Sequence, residues 1–594
     1  MRKYIFNNIG IFIVLFTLIS CDDLLDIYPK DTLTDKGLSF SQTEMEMYSN
    51  QFYPSLPGSL SSWAWTSDGS SDNNVPAIYG WGDGGLTFGT QTVPSSGGGW
   101  NFGQIRSVNF FLENYSKSKE SSNVKQKYLG EILFWKSFFY FNLLKNFGDL
   151  PWLTKTLNVD SEELMGPRIS RSIIADSILN LLDRSIEMLP VKSQTDPGRI
   201  HKDVASLLKA RIALYEGTWE RYHANDAFKG DGRDVNRFFT QAAEAAEAII
   251  ESNRYNLYDE YADPALPQNF SYWRLFSSPS QELSKNPEVL LAREYSYSLN
   301  LTFWGQQIRT SGGPDGQGIS KSLVDAYLCA DGLPTTLSPL YKGDATIENV
   351  SANRDLRLKM TVLTPGMPVK IFKGVTDKFQ LPLLTLTPWP NTTGYQIYKW
   401  LSPFIANEDE SGNYTSTGVP VFRYAEALLI LAEARAELGT CTQDVLDRTI
   451  NQLRSRVGMP KLMLTGQTSV GFSDPNWDFP NLSPLLNEIR RERRVELAFE
   501  GFRTDDLFRW NATHLLQAPR LGSKIEQWRN KPFSPAYNVD EVSKTRMNAE
   551  GYISPYFDKT GEGKIGFDPA KNFLYPLPTD QLVLNKNLSQ NPGY

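Results

Sequence analysis

The chain has 594 residues, a formal net charge of −7, 40% apolar and 21% charged residues. That is enough for several domains or one large core with insertions, and the acidic balance gives no basic footprint, which excludes nucleic acid as a partner. His201, His223 and His514 lie too far apart for a metal-ligand spacing and read as surface or cap residues, while Cys21, Cys329 and Cys441 form no CxxC pair, so the pattern asks for no metal and no other cofactor.

The chain starts with Arg2 and Lys3 and then runs apolar from Ile9 to Ile19. This run is too short for a mature membrane span and has the layout of a secretory signal, so residues 1–20 read as a signal peptide. The sequence Leu18-Ile19-Ser20-Cys21 resembles the box at which bacterial lipoproteins are cut, with Cys21 as the lipidated first mature residue. Residues 21–40 then form a tether. A helix is expected over 41–53, and a long loop over 54–101 rich in Gly, Ser, Asp, Asn and Trp. Embedded tryptophans argue against disorder there, and a loop of that length is usually functional.

Helical periodicity returns at Gln104, in 129–148 and again in 170–189, 203–222 and 236–252. Ala242, Ala243, Ala245 and Ala246 are small enough for close packing, and helix pairs of this length suggest tetratricopeptide-like hairpins. Residues 41–255 thus read as one helical region. Residues 256–420 are poor in helical pattern and rich in Pro, Gly, Tyr and Trp, a mixed insertion with short strands such as 288–292. Residues 421–594 return to helix at 422–438 and 445–457 before a Pro- and Tyr-rich tail. The fold class is mainly α: a tetratricopeptide-like helical-repeat scaffold with irregular loop-rich insertions and a few short strands.

The densest paired charge lies between Glu488 and Trp510. Glu488, Glu492, Glu496 and Glu500 recur every fourth residue, in the same helical sector as Ile489 and Phe499. Charge on a packing face must be paired, and Arg490, Arg491, Arg493, Arg494 and Arg503 are at hand. Gly501 allows a close approach or a cap, and Asp505 and Asp506 suit the start of a second helix. An anion site is one reading and an ion-pair lattice between packed helices the other; the near balance of acids and bases favours the lattice.

Several segments together resemble the SusD/RagB family of Bacteroidetes surface lipoproteins. They are Phe422–Leu429, Glu492–Trp510, Leu323–Tyr327 with Asp331-Gly332, Asn353–Asp355, and Phe573–Pro578 with the ending Leu588–Tyr594. Leu356 stands where the family commonly has Pro, and Asp505 departs from a more usual aromatic. Asp22, Asp23 and Asp26 resemble the export signal that sends such lipoproteins to the cell surface. The resemblance implies capture of an oligosaccharide without catalysis. It implies a SusC-like TonB-dependent transporter as partner, met through the tetratricopeptide-like face, and attachment to the outer membrane by lipid.

Sugar rings need aromatic platforms and hydroxyl partners. By region and chemistry, Asp68, Asp72, Asn73, Trp81, Trp100 and Asn101 are expected to bind ligand from the early loop, and Tyr272, Trp273, Tyr297 and Trp304 from the insertion. Run 68–73 lacks the Gly and distal Glu of an EF-hand loop. Peptide binding on the same scaffold, a glycoside hydrolase and a ligand-free adaptor are the alternatives.

Overall fold

The computed structural model describes residues 39–58, 68–76, 86, 88–264, 266–267, 269–304, 317–384, 391–407, 414–529, 546–556 and 565–594. At 281, 303, 304, 406 and 529 it describes the backbone alone. Cys21 and Trp81 lie outside these residues. Among the described residues no helix is long and apolar enough to cross a membrane.

The N-terminal helices are α1 (Gln42–Asn50), α2 (Gly103–Asn114), α3 (Ser122–Phe147), α4 (Arg171–Met188), α5 (Lys202–Tyr222) and α6 (Asn236–Glu251). Ser41 caps α1 in a full capping box with Glu44, and Ser121 caps α3. From α3 to α6 each helix packs on the next, which is the hairpin stacking of tetratricopeptide-like repeats. Gly130 on α3 lets α4 come close: a Cβ there would lie 2.9 Å from the Leu189 side chain. Apolar residues surround α3 almost completely because it is the inner helix; Trp135 meets Phe139, Phe52 and Tyr53 with ring centres 5.2–6.1 Å apart. Glu131 ties α1 to this layer, accepting from Ser49 Oγ at 2.5 Å and from Arg199 at 2.6 and 2.9 Å.

The C-terminal helices are α7 (Tyr424–Glu437), α8 (Gln443–Arg448), α9 (Ile450–Arg456), α10 (Pro484–Glu496) and α11 (Arg503–Arg509). Helix α7 stacks on α6 and also on α10, so it joins the repeat to the charged stretch. Two helical expectations change in detail. Residues Phe422 and Arg423 are the end of a strand, since Arg423 is extended (φ −137°, ψ 154°) and Tyr424 N–H bonds Glu288 O at 2.8 Å. The helix expected over 445–457 is two, broken at Thr449 (φ −131°, ψ −94°). His201 and His223 do take the two cap positions of α5, but both are buried. Cys329 and Cys441 are buried free thiols, and burial pushes the Cys441 thiol up to about 12.

Among the described residues ten strands form five two-stranded antiparallel ribbons: β1 (Asn74–Pro76), β2 (Val289–Arg293), β3 (Phe303–Trp304), β4 (Gln317–Ile319), β5 (Val362–Leu363), β6 (Pro368–Phe372), β7 (Val375–Lys378), β8 (Gln396–Ile397), β9 (Tyr414–Thr415) and β10 (Val419–Arg423). The pairs are β1/β4, β2/β10, β3/β9, β5/β8 and β6/β7. In β2/β10, Arg293 opposes Val419 and Val289 opposes Arg423, with an irregularity at Phe422. This ribbon closes the neck of the insertion: the chain leaves along β2 and returns along β10 straight into α7.

Gly130→Leu is expected to lower unfolding stability by about 1–3 kcal/mol through overpacking of the α3–α4 contact, read from the urea midpoint.

Candidate functional site

The acidic row on α10 meets arginines from three other segments. Glu496 accepts from Arg423 Nη1 at 2.8 Å, Arg357 Nη1 at 2.9 Å and Arg456 Nη2 at 2.7 Å. Glu492 lies 2.6 Å from Arg357 and 3.0 Å from Arg454. Glu500, in the turn after the helix, takes Lys399 and Arg423 at 2.7 Å each. On α7, Glu433 holds Arg509 at 2.6 and 2.8 Å and accepts from Trp510 Nε1 at 2.8 Å. Burial alone would raise the Glu496 and Glu433 carboxyls. The guanidinium groups outweigh it, holding Glu496 well below the ordinary carboxylate range and Glu433 down to about 2. Burial brings Lys399 down to about 8 in spite of Glu500. The charged stretch is therefore an ion-pair lattice.

The lattice also takes in the early loop. Asp72 accepts from Arg503 at 2.7 and 2.8 Å and lies 3.0 Å from Arg494. Asn73 accepts from Arg494 Nε at 2.9 Å and donates to Asp68 Oδ2 at 2.9 Å. Asp68 Oδ2 accepts in addition from Phe499 N–H at 2.9 Å, and burial raises its carboxyl above the usual range. Phe499 sits in the left-handed region (φ 60°), and Trp400 Nε1 donates to its carbonyl at 2.9 Å. A strained residue is thus held at both of its peptide groups.

This corrects five of the expected ligand residues. Asp68, Asp72 and Asn73 are buried and bonded to the scaffold. Tyr272 is buried too: its hydroxyl donates to Glu496 O at 2.6 Å and accepts from Lys399 Nζ at 2.7 Å. Trp273 is buried against Tyr398 with ring centres 5.4 Å apart. None of the five offers a surface to a sugar. Trp100 is half-buried, edge-on to Phe102 and Phe147 at 5.2 and 5.1 Å. Asn101 is exposed, and its Oδ1 accepts from Gly103 N–H at 2.8 Å at the start of α2.

Tyr297 has the exposure a platform needs. Among the described residues whose side chains are placed, the exposed aromatic rings are Tyr297 at 40% and Tyr414 at 48%. The two are joined, since Tyr297 OH donates to Tyr414 O at 2.5 Å. Tyr297 sits in a tight turn closed by Ser296 N–H to Leu301 O at 2.7 Å and Leu301 N–H to Ser296 O at 2.9 Å, with Asn300 left-handed at φ 54°. Leu299 and Leu301 are exposed on the same turn. Tyr414 lies on β9, where the Trp304 backbone opposes it. Arg293 fastens this surface to the entry of the early loop, donating to Leu56 O at 2.9 Å. Tyr414, Leu299 and Leu301 were missed in the sequence. The signal was present: Tyr295, Tyr297, Leu299 and Leu301 alternate with Ser296, Ser298 and Asn300.

A helical-repeat body that carries its exposed rings on an irregular insertion defines a binding scaffold. A family model described as SusD family matches residues 287–594, and one described as starch-binding associating with outer membrane matches 99–214. The chain belongs to the SusD family. It is 22% identical over 555 residues to SusD-like protein P38 of Formosa agariphila, covering 88% of this chain and 95% of that protein. A crystal structure of a SusD-like protein from Bacteroides fragilis superposes with a TM-score of 0.68 at 22% identity, covering 96% of this chain and 100% of that one. A SusD-like carbohydrate binding protein from the same species gives 0.68 at 21% identity over 93% of this chain and 100% of that one.

Two outcomes follow from the lattice. Asp72→Ala takes the nearest carboxylate from buried Arg494 and Arg503, leaving them Asp478 at 3.3 and 3.5 Å, and is expected to cost about 3 kcal/mol in a denaturation curve. Glu433, Glu496 and Asp72 have folded pKa values below their unfolded ones. Their contribution is complete above the unfolded values and is lost as pH falls through the folded ones. The urea midpoint should therefore lose nothing from these groups between about pH 7 and 5 and fall steeply below about 4.

Proposed function

We propose that this protein is a lipoprotein anchored to the outer membrane through Cys21 that captures an oligosaccharide at the cell surface. It delivers the sugar to a SusC-like TonB-dependent transporter and makes or breaks no bond. The observation that carries the reading is the joined pair of exposed rings, Tyr297 and Tyr414, on a scaffold whose other placed rings are buried or half-buried among the described residues. Rings are rigid and apolar, and their flat faces suit the faces of sugars. The similarity to a SusD-like carbohydrate binding protein and to a family model described as starch-binding associating with outer membrane supports the same reading.

Trp304 belongs to this proposed surface by its position opposite Tyr414. Trp81, Trp100 and Asn101 of the early loop are proposed as further ligand residues by their chemistry alone. Glu433, Glu492, Glu496 and Glu500 all face guanidinium groups, so these four are not the pair of free carboxyl groups that a hydrolase turns to its substrate.

Affinity electrophoresis against a panel of polysaccharides tests the proposal. A positive polysaccharide should be retarded by the native protein and released unchanged in length. Covering a tyrosine ring with a sugar face is worth about 1–2 kcal/mol, so Tyr297→Ala and Tyr414→Ala should each weaken binding about tenfold with Tm unchanged. Retention of peptides and of no glycan would overturn the ligand class, and shortening of the polysaccharide would overturn the absence of catalysis.

A further inference from the structure

Glu220 lies in the last turn of α5 and is buried, and neither oxygen of its carboxyl has a hydrogen-bond partner. The charges around it are committed to one another. Glu216, one turn earlier on α5, takes Arg171 of α4 through two bonds of 2.8 Å. Arg237 of α6 donates to Asp234 O at 2.7 Å and lies 3.4 Å from Asp176 of α4. Its Nη2 stops 4.0 Å from Glu220, beyond hydrogen-bond reach. Arg233, on the loop above, pairs with Asp176 and Asp231 at 2.9 and 2.7 Å. An ionised carboxyl at such a place carries a desolvation cost that a neutral one escapes. Burial first, and the charge of Glu216 next, raise the Glu220 carboxyl to about 7, and the Ser172 hydroxyl, Arg237 and Arg171 offset this only in part.

The connection from α5 to α6, residues 223–235, covers this acid. Gly230 is seated directly on the carboxyl: a Cβ there would lie 2.7 Å from Glu220 Cδ and 2.8 Å from Ser172 Oγ. The next residue fastens the seat, since Asp231 N–H donates to Ser172 Oγ on α4 at 3.1 Å. Trp219 Nε1 donates to Phe228 O at 2.9 Å and fixes the start of the connection. Residues 229 and 231–234 are exposed. A segment with so little buried surface opens at low cost.

We propose that the α5–α6 connection is a pH-responsive flap, seated on Glu220 while that carboxyl is protonated and lifted from it when the proton passes to solvent. Lifting Gly230 lets water reach the carboxylate and replaces the hydrogen bonds that the closed form does not supply. Because the folded pKa lies above the ordinary carboxyl value, the closed form is stabilised in full at low pH. That contribution is lost as pH rises from the ordinary carboxylate range through about 7. The direction is opposite to that of the lattice acids, whose contribution is lost as pH falls. The flap is independent of the glycan reading and stands or falls without it.

Trypsin reads the flap in the full chain, because the Lys229–Gly230 bond becomes cleavable only when Gly230 leaves its seat. Cleavage then tracks the open population. The fragment ending at Lys229 is followed by mass, and its rate at each pH is divided by that of a free peptide of residues 223–236. This ratio should rise about tenfold between pH 6 and pH 8. Glu220→Gln keeps the shape of the protonated acid and should hold the ratio at the low pH 6 level throughout. Gly230→Ala pushes a Cβ against Glu220 and leaves every ion pair in place. At pH 6 it should be cut at least as fast as the native chain at pH 8, with native circular dichroism. His223 stands beside the loop, bonded to Asp226 at 2.6 Å and to Phe508 O at 2.8 Å; control by that ring would leave the rise intact in Glu220→Gln. A constant ratio in the native chain, a rise that survives in folded Glu220→Gln, or Gly230→Ala cut no faster than the native chain at pH 6 would each overturn the proposal.

Discussion

A charge taken out of water must meet its opposite or destabilise the fold by several kcal/mol, and here Arg423 meets that requirement for three acids at once. Arg423 ends β10 and reaches Glu288, Glu496 and Glu500 at 2.9, 2.8 and 2.7 Å. Glu288 precedes β2, Glu496 closes α10 and Glu500 lies in the following turn. A single guanidinium thus joins the neck of the insertion to the C-terminal helices. Arg456 repeats the link between Glu288 and Glu496 at 3.1 and 2.7 Å. Each acid accepts from more than one cation, so removing any one partner leaves a charge partly answered and the remaining geometry constrained.

The body was legible in the sequence to a large degree. Helical periodicity marked α2 through α7, and the four-residue spacing from Glu488 to Glu500, with its near balance of acids and bases, favoured the lattice over an anion site. The ends of elements were less legible. Arg423 has helix-forming neighbours on its C-terminal side, but its pairing with Glu288 and the β2 ladder draws it into a strand, a tertiary demand that propensity cannot show. The same holds for the ligand residues. Asp68, Asp72 and Asn73 have the composition of a sugar-binding loop and of a turn alike, and what separates the two is where Arg494 and Arg503 lie, more than four hundred residues away. Tyr297 was legible by chemistry, whereas Tyr414 stands alone in a polar run and is recognisable only through its pairing partner.

Two kinds of aromatic residue result. Trp135, Tyr272, Trp273 and Trp400 spend their surface inside, where their rings set distances between layers, and Tyr272 OH and Trp400 Nε1 donate to the carbonyls of Glu496 and Phe499. Tyr297 and Tyr414 are held at the periphery by backbone hydrogen bonds in a short turn and a short ribbon. This separation has a physical basis: the surface can change its rings with little effect on the core, whereas a change in Tyr272 or Lys399 disturbs Glu496 and Glu500 at once.

The hydrogen bond from Phe499 N–H to Asp68 spans 431 positions of the chain. So does the pair formed by Arg503 and Asp72. Contacts of such separation form late, because the intervening chain must first be brought together against its own entropy. The early loop therefore has no permanent seat while the first half of the chain stands alone, and Asp68 and Asp72 stay hydrated until the last third arrives. Under the export that the proposed function implies, this order is an advantage: the segment nearest the leading end cannot lock into its final form until nearly the whole polypeptide is on the far side.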